Sequence, residues 1–220
     1  MTRGVALLLA LFLLCSSAGA SRMQAVPDDD ADVVAGWTAY GGNDPVRAMA
    51  HYRKAADRNN RVAQFNLAVM LLGGEGAKAD PANGVMWLRK SAERGFSAAQ
   101  FALALLYERG EHVKRSLDEA TLWFRKAAEQ NHLAAQVGLA TQYFLGRGAP
   151  RDFKQAAHWY ERAADQGDEA SAYIIASLYE KGDGVEQDYP RAWFWYSRAA
   201  SSGDPAAVLK AREMRDKLPR

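Results

Sequence analysis

The sequence predicts an all-α chain, an α/α superhelical solenoid of antiparallel helix pairs, and three observations carry that prediction. Alanines recur every 36 residues at Ala56, Ala92, Ala128, Ala164 and Ala200, and glycines keep the same period at Gly74, Gly110, Gly146 and Gly182. Within each period the apolar residues fall at helical spacing, as in Ala120, Trp123, Phe124, Ala127 and Ala128, which mark one face of a helix. Residues that start and stop helices punctuate each period twice. A period between about 20 and 50 residues is the signature of stacked repeats, in which one unit cannot bury its own apolar face and its neighbours cover it.

The first 20 residues carry Arg3, an apolar stretch from Val5 to Leu14, and Ala18, Gly19 and Ala20 before Ser21. This order reads as a secretory signal cleaved near Ala20. The apolar stretch is about half the roughly 20 residues a spanning helix needs, so no stable membrane span is expected after cleavage. The expected location is periplasmic or secreted. Cys15, the single cysteine, lies inside this segment behind Phe12, Leu13 and Leu14, where a bacterial lipoprotein signal wants a small residue; that disfavours lipid attachment. The mature chain is then free of thiols, and packing alone must stabilise it. Residues 21–28 read as a flexible mature N-terminus.

Residues 29–60 read as an atypical N-terminal helix pair with a shortened turn, where Trp37 and Tyr40 cover the end of the stack. Four full repeats follow, at 61–96, 97–132, 133–168 and 169–204. In each, a first helix carries a stripe such as Ala99, Leu103, Ala104 and Tyr107 and ends at the periodic glycine, where a left-handed residue stops a helix without strain. Six positions on stand Asp80, Ser116, Asp152 and Asp188, all able to cap a helix, and Ser116 with Glu119 or Asp152 with Gln155 has capping-box spacing. The second helix ends at Gly95, Asn131, Gly167 or Gly203, residue types that tolerate positive φ. Helices are therefore expected near 61–73 and 81–94 and at every 36 residues thereafter. Residues 205–220 form a capping helix, with Ala207, Ala211, Met214 and Leu218 on one stripe and Lys210, Arg212, Arg215 and Lys217 elsewhere.

These motifs, and "SLYEKGDGVEQDYPRAWFWYSRAASSG" above all, resemble the Sel-one-like repeats, relatives of the tetratricopeptide repeats. The likeness covers roughly residues 45 to 207. It departs from the family pattern where Ala104, Ala140 and Ala176 replace the first glycine and where one turn reads Arg147-Gly148-Ala149-Pro150. The resemblance implies stacked helix pairs, with the first helix of each pair lining a concave side.

The functional classes narrow by exclusion. A formal charge of +2 carries no nucleic-acid footprint. The turns "GGEG", "GRG" and "GDG" lack the Walker lysine and the preceding strand of a phosphate loop. His51, His112, His132 and His158 fall in four different columns and lack metal-ligand spacing, and His158, in a column with Met86, Leu122 and Phe194, is expected to pack half-buried. Neither G-x-S-x-G nor S-x-x-K occurs, and Ser91 and Ser171 stand in alanine columns as small packing residues. No catalytic residue, metal site or cofactor is expected.

Columns filled alike in every repeat serve the scaffold, so binding specificity is expected where the columns differ. On the first helices these are Asn66 with its counterparts, then Val69, Leu105, Thr141 and Ser177, and a more apolar column that includes Tyr173. The same columns could instead pack within or between repeats. Trp193 stands outside the period, its counterparts being Ala157, Thr121 and Val85, and reads either as a partner anchor or as packing for the last helix. The leading expectation is an exported, non-enzymatic scaffold of the cell envelope that binds another protein or an extended peptide. Two alternatives stand beside it. One is a structural protein that binds peptidoglycan; the other is the β-lactam binding or hydrolysis associated with cysteine-rich relatives of the repeat family, whose paired cysteines this chain lacks.

Overall fold

A computed structural model describes residues 30–218; the signal reading and residues 21–28 lie outside them. The chain divides into two compact units, one ending at Arg115 and the other beginning at Ser116. No strand occurs among the described residues. The first unit contains α1 (Ala31–Gly41), α2 (Pro45–Asp57), α3 (Arg61–Gly73), α4 (Pro81–Glu93) and α5 (Ser97–Arg109). The second contains α6 (Leu117–Glu129), α7 (Leu133–Leu145), α8 (Phe153–Asp165), α9 (Glu169–Lys181), α10 (Tyr189–Ala199) and α11 (Pro205–Asp216). Within each unit every helix packs on the next one in the chain. Phe144 at the end of α7 meets Phe153 at the start of α8 edge to face at 5.4 Å, as antiparallel neighbours require.

The expected punctuation sets the boundaries. Asp80, Ser116, Asp152 and Asp188 each accept a hydrogen bond from the backbone N–H three residues on, which satisfies a donor the helix itself cannot. Gly74, Gly110, Gly146 and Gly182 close the first helices at φ between 69° and 80°, each donating its N–H to the carbonyl four residues back. A further cap row went unread in the sequence: Asn60, His132 and Asp168 start α3, α7 and α9 by the same side-chain device, whereas Phe96 at the matching place makes no such bond.

Packing follows from size. The alanine row is buried at Ala56, Ala92, Ala128 and Ala164 and half-buried at Ala200, and Ser91 and Ser171 are buried as well; Ser91 donates its hydroxyl to the Arg61 carbonyl at 2.6 Å. At Gly138 an added Cβ would lie 2.9 Å from the Phe124 ring, so the ring occupies the space a side chain would need. Buried glutamines then stitch α2 to α3, α4 to α5 and α6 to α7, while Ala172 stands at the matching place on α9. The Nε2 of Gln64, Gln100 and Gln136 donates to the carbonyls of Ala56, Ala92 and Ala128 at 3.3, 3.0 and 3.3 Å. These carbonyls lie at helix C-termini, where the last four acceptors need outside partners.

The last helix caps the second unit. Ala207 and Met214 are buried beneath it, and Lys210 Nζ lies 3.0 Å from Glu180 Oε1 on α9. In the first unit, Tyr40 of α1 donates to Glu75 Oε2 at 2.7 Å.

Candidate functional site

The in-phase tryptophans belong to the scaffold. Trp87, Trp123, Trp159 and Trp195 are buried, and a cation three residues on covers each ring, with Lys90 at 4.2 Å, Lys126 at 4.0 Å, Arg162 at 5.2 Å and Arg198 at 5.3 Å from the ring centre. Spacing of i to i+3 brings the pair to one helix face, and the methylene stem of the cation shields the indole. These rings are closed to a ligand.

The variable columns of the first helices follow a rule that a single column hides. Thr141 directs its own hydroxyl proton to the Val137 carbonyl at 2.8 Å, which leaves it to accept from Tyr160 Oη at 3.0 Å. Ser177 hydrogen-bonds the Tyr196 oxygen, whose own proton goes to Glu180 Oε2 at 2.8 Å, and Asn66, in another column, hydrogen-bonds Tyr52. Where the partner position 19 residues on is Leu88 rather than a tyrosine, the first-helix residue is the buried Val69. The column thus carries a hydroxyl where it faces a tyrosine and an apolar residue where it faces Leu88, since a buried phenol needs polar partners. The sequence contained that signal as a paired variation between two columns. Asn66, Leu105, Thr141, Tyr173 and Ser177 are half-buried and keep one edge open, while Tyr173 also meets the Tyr196 ring edge to face at 5.1 Å.

In the first unit this face forms a recess lined by Trp37, Tyr40, Tyr52, Asn66, Val69 and Glu75. Its free space of about 10 Å³ holds about one water molecule. Burial, followed by the hydrogen bond to Glu75, pushes the Tyr40 phenol up to about 12, and burial likewise lifts Tyr52 to about 12. Both are neutral donors at physiological pH. The recess presents aromatic edges, an amide and a carboxylate, and its free space is too small for a small-molecule substrate.

Trp193 sits in the second unit beside the last helix. It is 38% exposed and lines a shallow groove of about 230 Å³ between α10 and α11. The two readings of Trp193 therefore meet: its ring borders the last helix and still faces solvent. His158 is a correction, because it is exposed rather than half-buried, with its ring against Trp159 at 5.0 Å. Its column lies one position off the buried stripe, and Met86, Leu122 and Phe194 in that column are exposed as well. Three apolar occupants gave the column a misleadingly core-like look.

Among the described residues no group of three or more His, Cys, Asp or Glu could hold a metal ion, and no helix is long and apolar enough to cross a membrane.

A family model described as Sel1 repeat matches residues 39–60, 61–96, 97–132, 133–168 and 170–204. Among solved structures, a Sel1 repeat protein from Oxalobacter formigenes is 34% identical over 82% of this chain and 74% of its own, with a TM-score of 0.76. The protein c5321, a protective antigen present in uropathogenic Escherichia coli strains displaying an SLR fold, is 32% identical over 94% of this chain, with a TM-score of 0.75. The present chain spans 43% of c5321. No curated protein matches the sequence.

Proposed function

The chain belongs to the Sel1 repeat family, whose members are generally protein–protein interaction scaffolds, and from that premise we propose that it is an exported, non-enzymatic adaptor of the cell envelope that binds another protein or an extended peptide. One observation supports this reading above the rest: the aromatic rows that recur in phase are buried, while aromatic residues outside the regular pattern, Trp37 and Trp193, remain exposed in part. A scaffold has no packing reason to leave large rings in water, and Trp and Tyr are enriched among interface anchors. The recess beside Trp37 has space for little more than a water molecule, which favours a partner that lies along the surface over one that enters a pocket.

Export is supported by the Arg3, Val5 to Leu14 and Ala18-Gly19-Ala20 order of the first 20 residues. The description of c5321 as a protective antigen agrees with a place where host immunity meets it.

The test is site-specific photocrosslinking in cells from Asn66, Leu105, Thr141 and Tyr173, with exposed Glu129 on a second helix as the control. One envelope protein recovered from the first-helix positions and absent from Glu129 is the expected result. Recovery that is equal at all five positions, or confined to peptidoglycan fragments, sinks the adaptor reading. Mass spectrometry of the exported chain should find Ser21 at its N-terminus.

A further inference from the structure

The last helix divides its cations between two tasks. Lys210 Nζ lies 3.0 Å from Glu180 Oε1 and 3.1 Å from Glu213 Oε2, and Lys217 Nζ lies 3.9 Å from Glu180 and 4.8 Å from the centre of the Tyr189 ring. These two fasten α11 to α9 and α10. Arg212 and Arg215 instead line the groove that holds Trp193. Arg212 makes no ion pair among the described residues, and Arg215 reaches only the exposed Asp216 at 4.0 Å.

Beside the two arginines the groove is lined by Trp193, Ala200, Val208 and Ala211 with the single hydroxyl of Ser197, and no carboxylate lines it. Trp193 answers no need of the repeat, since the same position is Ala157, Thr121 or Val85 elsewhere. The volume of about 230 Å³ falls below the roughly 300 Å³ at which small-molecule pockets begin, and suits one anchoring side chain. Two guanidiniums at the rim of an apolar slot match carboxylates that flank an apolar residue, because the planar fork can bond both carboxylate oxygens. A lipid surface would require a projecting apolar ridge, whereas here the indole lies in a concave groove.

We propose that the α10–α11 groove is a docking site for an acidic peptide segment of a partner protein, in which one large apolar residue sits on Trp193 and neighbouring Asp or Glu side chains engage Arg212 and Arg215. This rests on the interaction-scaffold reading and adds to it a place and a partner chemistry.

The experiment pans a random twelve-residue peptide display library against the full chain, and measures the enriched peptides by fluorescence anisotropy. The expected winners carry Leu, Phe or Trp flanked by Asp or Glu. Trp193→Ser weakens them about tenfold or more, and Arg212→Glu with Arg215→Glu turns the preference toward lysine-bearing peptides. Circular dichroism checks that each variant is helical, and Arg212→Gln with Arg215→Gln serves if the double reversal unfolds; it too should weaken binding about tenfold. No enrichment, neutral or basic winners, or winners indifferent to these variants would overturn the proposal. Winners that depend on Asn66, Leu105 and Tyr173 would overturn the groove and leave the scaffold reading standing. Trp193-dependent sedimentation with phosphatidylglycerol vesicles, without peptide binding, would make the site a lipid contact and also overturn it.

Discussion

Tyr196 on α10 donates its phenolic proton to Glu180 Oε2 on α9 at 2.8 Å, and the other oxygen of the same carboxylate receives Lys210 from α11. One side chain thus joins three helices at the end of the second unit. Burial by itself raises the Glu180 carboxyl, yet the hydrogen bonds from Tyr196 and Lys210 and the charges of Lys210 and Lys217 outweigh it and hold the group below its ordinary 4.5.

A carboxyl depressed by folding stabilises the folded state fully above its unfolded value and loses that contribution as pH falls through the folded one. On acidification below about pH 4.5, α11 should therefore loosen first, before the helices of the repeats. Glu180→Ala should cost about 1.5–3 kcal/mol at pH 7 and much less at pH 3. Hydrogen exchange of the α11 amides, followed with pH, checks both statements.

The second turn glycine is fixed by a close backbone approach. At Gly148, where φ is 64°, an added Cβ would stand 2.2 Å from the Leu117 carbonyl oxygen, and Gly184 meets Phe153 in the same way at 2.3 Å. Gly148→Ala should therefore cost about 3 kcal/mol or more, well above the roughly 1 kcal/mol of a positive φ alone. His112 holds the equivalent turn position with φ 60°, so His112→Gly should change stability by less than about 1 kcal/mol. Urea unfolding of the two variants separates the contributions.

Gln136 has no solvent exposure, donates to Ala128 O and Asn131 Oδ1, and accepts from Gln166 Nε2 at 2.6 Å. Gln136→Met keeps the volume and leaves those partners without it. A loss of about 2–3 kcal/mol is expected, since unsatisfied buried groups forfeit their full desolvation cost. Gln166→Ala should cost less, because its side chain is exposed. Chemical denaturation of both variants under one set of conditions ranks them.

His132 caps α7 by accepting the Ala135 N–H on Nδ1 at 3.3 Å, which requires that nitrogen to be unprotonated. Burial holds its pKa below the ordinary 6.5. Between those two values the unfolded chain binds the proton more readily, so stability is complete above about pH 6.5 and falls as pH drops toward the folded value. His132→Asn supplies a cap that does not titrate, as Asn60 does for α3. Thermal unfolding at pH 5 should favour the variant, with the difference shrinking at pH 8.

The helix pairs could be read from the sequence because their signals are local: a cap residue, an apolar stripe and a left-handed glycine lie within one helix of each other. Arg61–Gly73 and Pro81–Glu93 fall where the period and caps put them. The candidate face was only half readable, because its determinants are tertiary. Thr141 varies to suit Tyr160, and neither column alone reveals the bond. His158 misled for a related reason, since an apolar column one step off the stripe has the composition of a core and the direction of a surface. The glutamine row could have been found by its period, but its purpose depends on carbonyls eight residues upstream whose need appears only once the helices end there.

If the rows in phase build the scaffold and the residues out of phase meet a partner, Trp195 and Trp193 separate the two roles within a single helix. Thermal unfolding of Trp195→Ser and Trp193→Ser is the direct measurement. The first should lower the melting temperature by about 10 °C, as the loss of a buried indole demands, and the second by about 2 °C or less. Equal losses in the two variants would place Trp193 in the core and contradict the account.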